Sequence, residues 1–152
     1  MARISVVLAD KNLEVVAIIR RTLGDEFEVV RSVEDGKRAV EAVHTLNPDV
    51  LVIDFSMPIL NGLEAAKQLQ MANCRAKVIF LTIYEEPDFL DAAFSAGAAG
   101  YVTRKARLSI DLIPAVGKSS VRKSISTFCC VSNSRQKLFA ASLRSLRAYL
   151  SA

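Results

Sequence analysis

The chain has 152 residues, enough for one domain with a real hydrophobic core and a short appendage. Hydrophobic residues make up 51% and charged residues 24%, the balance of an ordinary globular protein, which excludes a disordered chain. The net charge of +4 conceals an asymmetry: all 16 acidic residues lie at or before Asp111, and from Lys118 onward there are basic residues and no acid. No apolar run approaches the roughly 18 residues of a membrane span. The apolar start Ile4 to Ala9 stops at Asp10, too short for a signal peptide, so a cytoplasmic location without membrane contact is expected. Cys74, Cys129 and Cys130 fit neither a disulfide framework nor a zinc spacing.

In chain order, Ile4 to Ala9 predicts a buried strand, and Asn12 caps a helix with the stripe Val16, Ile19 and Leu23. A short strand from Phe27 to Val30 follows, then a helix carrying Ala39, Val40, Val43 and Leu46, closed by Asn47 and Pro48. Val50 to Ile53 reads as a fully buried strand and Leu63, Ala66 and Leu69 as the inner stripe of the next helix. Val78 to Leu81 is a fourth strand. A helix starting near Pro87 and stopping before Gly97 presents Leu90, Ala93 and Phe94, and Gly100 to Val102 is a fifth strand. A last helix from about Ser109 to Gly117 contains Pro114, which is tolerated if Asp111 is the N-cap and the proline falls in the first turn.

Five strand-helix repeats imply a parallel sheet with right-handed crossovers and helices on both faces, a doubly wound α/β domain over residues 1–117. Residues 118–152 form a basic, Ser-rich tail in which Phe139, Leu143, Leu146 and Leu150 recur at helical spacing, predicting an amphipathic helix over 134–150. That helix is read as packing on its own domain or on a protein partner. The other reading of the tail is a truncated or frame-shifted gene end, whose removal leaves the domain folded.

Asp10 ends the first strand, Asp54 the third and Thr82 the fourth, while Thr103, Arg104 and Lys105 follow the fifth. In a sheet ordered 2-1-3-4-5 the first and third strands are neighbours at the topological switch point, where sites of this architecture form. Two carboxylates, a hydroxyl and cations therefore converge. Clustered carboxylates repel each other, so such a site commonly holds a hard cation such as magnesium, which also draws in phosphate oxygens.

The stretch VLVIDFSMPILNGLE, with Asp54 ahead of Met57, Pro58 and Gly62, closely resembles the phosphoacceptor segment of response-regulator receivers. FLTIYEE with Thr82, and GAAGYVTRK with Tyr101, resemble the family's switch segments, and the match covers roughly residues 3–117. The resemblance implies a flavodoxin-like receiver fold and a two-component signalling role in which a histidine kinase donates a phosphoryl group. It implies Asp54 as phosphoacceptor, Asp10 as an acidic residue of a magnesium site, the Ser56 backbone carbonyl as a further metal ligand, and Thr82 as the hydroxyl that bonds the phosphoryl group. Tyr101 becomes the switch residue that rotates inward, and the face of the fourth helix and fifth strand the surface read by a downstream protein or a second copy. Phosphorylation in this scheme is stoichiometric, so the chain is expected to be a signalling receiver and not an enzyme.

Two positions depart from the family. Lys11 stands where the second acid of the pair is usual, which weakens the expected magnesium site. Arg104 stands where the phosphate-binding lysine is usual, with Lys105 one residue further on; arginine is a forked donor and not an equivalent point charge. Either Lys105 is recruited, or Arg104 takes the phosphate, or efficient transfer is lost. The alternative function is therefore a phosphorylation-independent pseudo-receiver that acts as a protein-protein interaction module, with Lys11 in the metal's place. Receivers of this style often carry a LuxR-type helix-turn-helix, which nothing here resembles, so DNA is not an expected partner.

Overall fold

Strands covered by helices on both faces have no polar side, which is why the uninterrupted apolar runs of this sequence become its central strands. The computed structural model describes residues 3–84, 86–103 and 128–130. Within them follow β1 (Ile4–Ala9), α1 (Leu13–Leu23), β2 (Phe27–Val33), α2 (Gly36–Leu46), β3 (Val50–Ile53), α3 (Gly62–Met71), β4 (Lys77–Thr82), α4 (Pro87–Ser95), β5 (Gly100–Thr103) and β6 (Phe128–Cys130). The predicted helices at 109–117 and 134–150, together with Arg104 and Lys105, lie outside the described residues.

The strands pair in the order β2-β1-β3-β4-β5-β6, every pair parallel. The expected order 2-1-3-4-5 holds, and three residues read as tail extend it: Phe128, Cys129 and Cys130 pair with Gly100, Tyr101 and Val102. β2 runs to Val33, beyond the expected Val30, because after a register shift between Val6 and Val7 its residues Arg31 to Val33 pair with Val7 to Ala9.

Alternation along the strands feeds two cores. Val6, Leu8, Val50, Val52 and Ile79 pack under Val16, Ile19 and Leu23 of α1. Val7, Leu51, Ile53, Phe80 and Tyr101 pack on the opposite face under Ala39 and Val43 of α2, Ala66 and Leu69 of α3, and Ala93 of α4. The α2 stripe is rotated slightly from its expected position: Ala42 is buried, while Leu46, in the last turn, is 37% exposed.

Helix starts and stops follow local chemistry. Asn12 Oδ1 accepts from the Glu14 and Val15 amides, Asp35 Oδ1 from Arg38 and Asn61 Oδ1 from Glu64, each satisfying an otherwise unpaired first-turn N–H. Asn47 ends α2 in the left-handed region at φ 47°. At the amino end of the sheet, Asp49 accepts from the amide and hydroxyl of Ser5 and pairs with Arg75 at 3.0 Å, clamping β1 to the start of β3.

Candidate functional site

The parallel pairing of Ala9 with Ile53 carries the next residues, Asp10 and Asp54, side by side past the carboxyl edge of the sheet, and the Asp54 amide donates to the Ala9 carbonyl at 3.2 Å. Both acids are buried, with 2% and 5% exposure. Asp10 is oriented by the turn into α1, where its Oδ1 accepts from the Asn12 amide at 2.8 Å. Of the acids in the described residues, Asp35 is also buried, but it is spent on capping α2.

The loop after β3 is shaped by the backbone. The amides of Met57 and Gly62 both donate to the Phe55 carbonyl, at 3.1 and 3.0 Å, folding the loop back so that α3 begins against the end of β3. A Cβ at Gly62 would collide with the Asp54 carbonyl, so this close approach requires glycine. Ile59, 80% exposed at the tip, is held at φ 67°.

Lys11 is exposed, and its Nζ donates to the hydroxyl of the half-buried Ser56 at 3.1 Å, joining the end of β1 to the loop that carries Asp54. Thr82 at the end of β4 is wholly buried and its Oγ1 accepts from the Tyr84 amide at 3.4 Å. Tyr101 is 1% exposed and its hydroxyl donates to the Tyr84 carbonyl at 2.6 Å. One residue of the β4–α4 loop thus touches both expected switch residues through its backbone. Sequence reasoning did not single out Tyr84, and no side-chain signal marks a residue that acts through its peptide groups.

An aromatic cluster supports this end of the molecule. Phe55 stacks on Phe80 with ring centroids 4.5 Å apart, and Tyr84 stacks on Phe89 at 4.3 Å. A cleft of about 410 Å³ opens beside the loop, lined by Phe55, Leu63, Tyr84 and Phe89, with Ser56, Asn61 and Asp88 at its polar margin. His44 lies in the last turn of α2, its Nδ1 3.6 Å from Cys74 Sγ, on a segment apart from Asp54 and Thr82.

No three His, Cys, Asp or Glu side chains group into a metal cluster among the described residues. Magnesium takes one or two carboxylates and completes its shell with water and phosphate oxygens. Asp10, Asp54 and the Ser56 carbonyl are hard oxygen donors of that kind, so the residues present fit this ion, and the Lys11 ammonium is bonded to the Ser56 hydroxyl.

Comparison with known proteins converges on one family. The family model for the response regulator receiver domain matches residues 6–113. The chain is 40% identical over 80 residues to the transcriptional regulatory protein DegU of Brevibacillus brevis, covering 53% of this chain and 34% of DegU. It is 32% identical over 99 residues to the chemotaxis protein CheY of Halobacterium salinarum, covering 65% of this chain and 82% of that protein. The isolated receiver domain of RcsB from Salmonella enterica, solved with the phosphomimetic BeF3−, superposes with a TM-score of 0.76 at 26% identity, covering 88% of this chain and 98% of that one. The match spans only about a third to a half of the length of several of the transcriptional regulators it resembles.

Proposed function

Because this chain belongs to the response regulator receiver family of two-component signalling, we propose that Asp54 is its phosphoacceptor and that a histidine kinase is the donor. A carboxylate oxygen of Asp54 attacks the phosphorus of a phosphohistidine, the phosphorus–nitrogen bond breaks, and the imidazole leaves with the kinase. The observation that carries the reading is the buried pair Asp10 and Asp54, set side by side by the β1–β3 register at the carboxyl edge of the sheet. Burial keeps water away and the fixed strand ends hold the attacking oxygen in place, so the protein contributes mainly positioning and charge.

Magnesium, when bound by Asp10, Asp54 and the Ser56 carbonyl, supplies charge neutralisation for the phosphoryl oxygens. Thr82 offers its hydroxyl to the phosphoryl group, with Arg104 or Lys105 as the flanking cation. Drawing the Thr82 hydroxyl toward phosphate changes what it offers the Tyr84 amide, and Tyr84 in turn holds Tyr101. The bond change is thereby passed to the face of α4 and β5, the surface this reading gives to a downstream protein or a second copy in the cytoplasm.

A second reading is favoured by one observation. Lys11, a cation beside the buried Asp10, bonds through its ammonium to the hydroxyl of Ser56 on the loop that carries Asp54. A module held in that state docks its partner without phosphorylation.

Amide NMR spectra recorded with beryllofluoride and magnesium separate the two. The phosphoacceptor reading expects shifts at Asp54 and Thr82 that extend to Tyr84 and Tyr101, all absent in Asp54→Asn. A spectrum that beryllofluoride leaves unchanged supports the constitutive module and overturns phosphoacceptance.

A further inference from the structure

Lys11 follows the buried Asp10 directly, yet its side chain does not simply extend into water: its ammonium is held on Ser56 Oγ, 45 positions away in sequence. Ser56 lies two residues after Asp54, on the loop that the proposed function makes part of the magnesium site. One positive charge is thus bonded to the loop that carries Asp54, whose carboxylate, like that of Asp10, is almost wholly buried.

We propose that Lys11 is a positioning residue that competes with the divalent cation: with its ammonium on Ser56 it partly neutralises the Asp10–Asp54 pair, and magnesium enters fully only when that hydrogen bond is given up. The inference rests on reading Asp10, Asp54 and Ser56 as the metal's donors. Its physical basis is that an ammonium is a compact point charge on a flexible stem, able to hold one position or swing away. Magnesium dehydrates reluctantly and takes few protein ligands, so a neighbouring like charge weighs heavily in its affinity. Because Lys11 is exposed, the competition is screened by salt. A site of this kind takes magnesium weakly at rest and gains it when an incoming phosphoryl group, itself an anion, draws the ammonium off Ser56.

The test is a calorimetric titration of magnesium chloride into the full chain, comparing the native protein with Lys11→Met, Lys11→Gln and Lys11→Arg at low and high ionic strength. Thermal melts of each variant establish that it is folded. The expected result is affinity about tenfold or more higher for the Met and Gln variants, near-native affinity for Arg, and a gap that narrows as salt is raised. Equal affinity in all four proteins overturns the competition while leaving the donor assignment standing. Absence of magnesium binding in every one of them overturns the donor assignment as well, whatever the phosphorylation experiments give.

Discussion

The hydroxyl of Tyr101 donates to the backbone carbonyl of Tyr84 at 2.6 Å, tying β5 to the loop between β4 and α4. Tyr101→Phe keeps the ring, which lies in the core with Phe80 and Phe55, and removes the hydroxyl that makes that bond. The expected loss is about 1 kcal/mol, the range for a buried hydrogen bond whose acceptor is left behind. Equilibrium urea unfolding measures it. A variant as stable as the native chain would mean that the hydroxyl does not hold Tyr101 inward.

Gly62 is the second residue on which the site's shape depends. Alanine there places a methyl group against the Asp54 carbonyl, and α3 or the end of β3 must move to admit it. Gly62→Ala is expected to destabilise the domain by about 1–3 kcal/mol, as overpacking does. Amide shifts of Asp54 and Phe55 should move with it. Retained stability together with an unchanged Asp54 signal would show that the contact is not tight.

Ile59 sits at the tip of the same loop at φ 67°, a conformation that β-branched residues rarely adopt, and being 80% exposed it gains little burial there. Ile59→Asn suits the left-handed region without the backbone freedom of glycine. We expect a stabilisation of about 0.5–1 kcal/mol, read as a higher melting temperature. A lower one would mean that the isoleucine side chain makes a contact worth more than the strain.

Most of the fold was legible in the sequence because its signals are local. β1, apolar but for Ser5, and β3, apolar throughout, have the bounds expected, and Asn12, Asn47 and Pro87 stand where they were expected to start or stop helices. The end of β2 was hidden because Arg31 and Ser32 are polar on an outer strand, where one face meets solvent. β6 was hidden because its pairing with β5 is long-range and its three residues carry no period.

The site divides along the same line. Asp10, Asp54 and Thr82 could be placed because each ends an apolar strand and the sheet order then brings them together. The Lys11 contact with the Ser56 hydroxyl and the double backbone role of Tyr84 were not legible, since side-chain reach and peptide-group hydrogen bonds leave no mark on residue spacing.

Chemical modification of the Asp54 carboxylate is read most directly by intact-mass spectrometry. The purified chain and its Asp54→Asn variant are incubated with acetyl phosphate and magnesium, a small phosphodonor that needs no kinase. A single adduct about 80 Da heavier is expected on the native chain and none on the variant. No adduct on the native chain, or an equal one on Asp54→Asn, would contradict it.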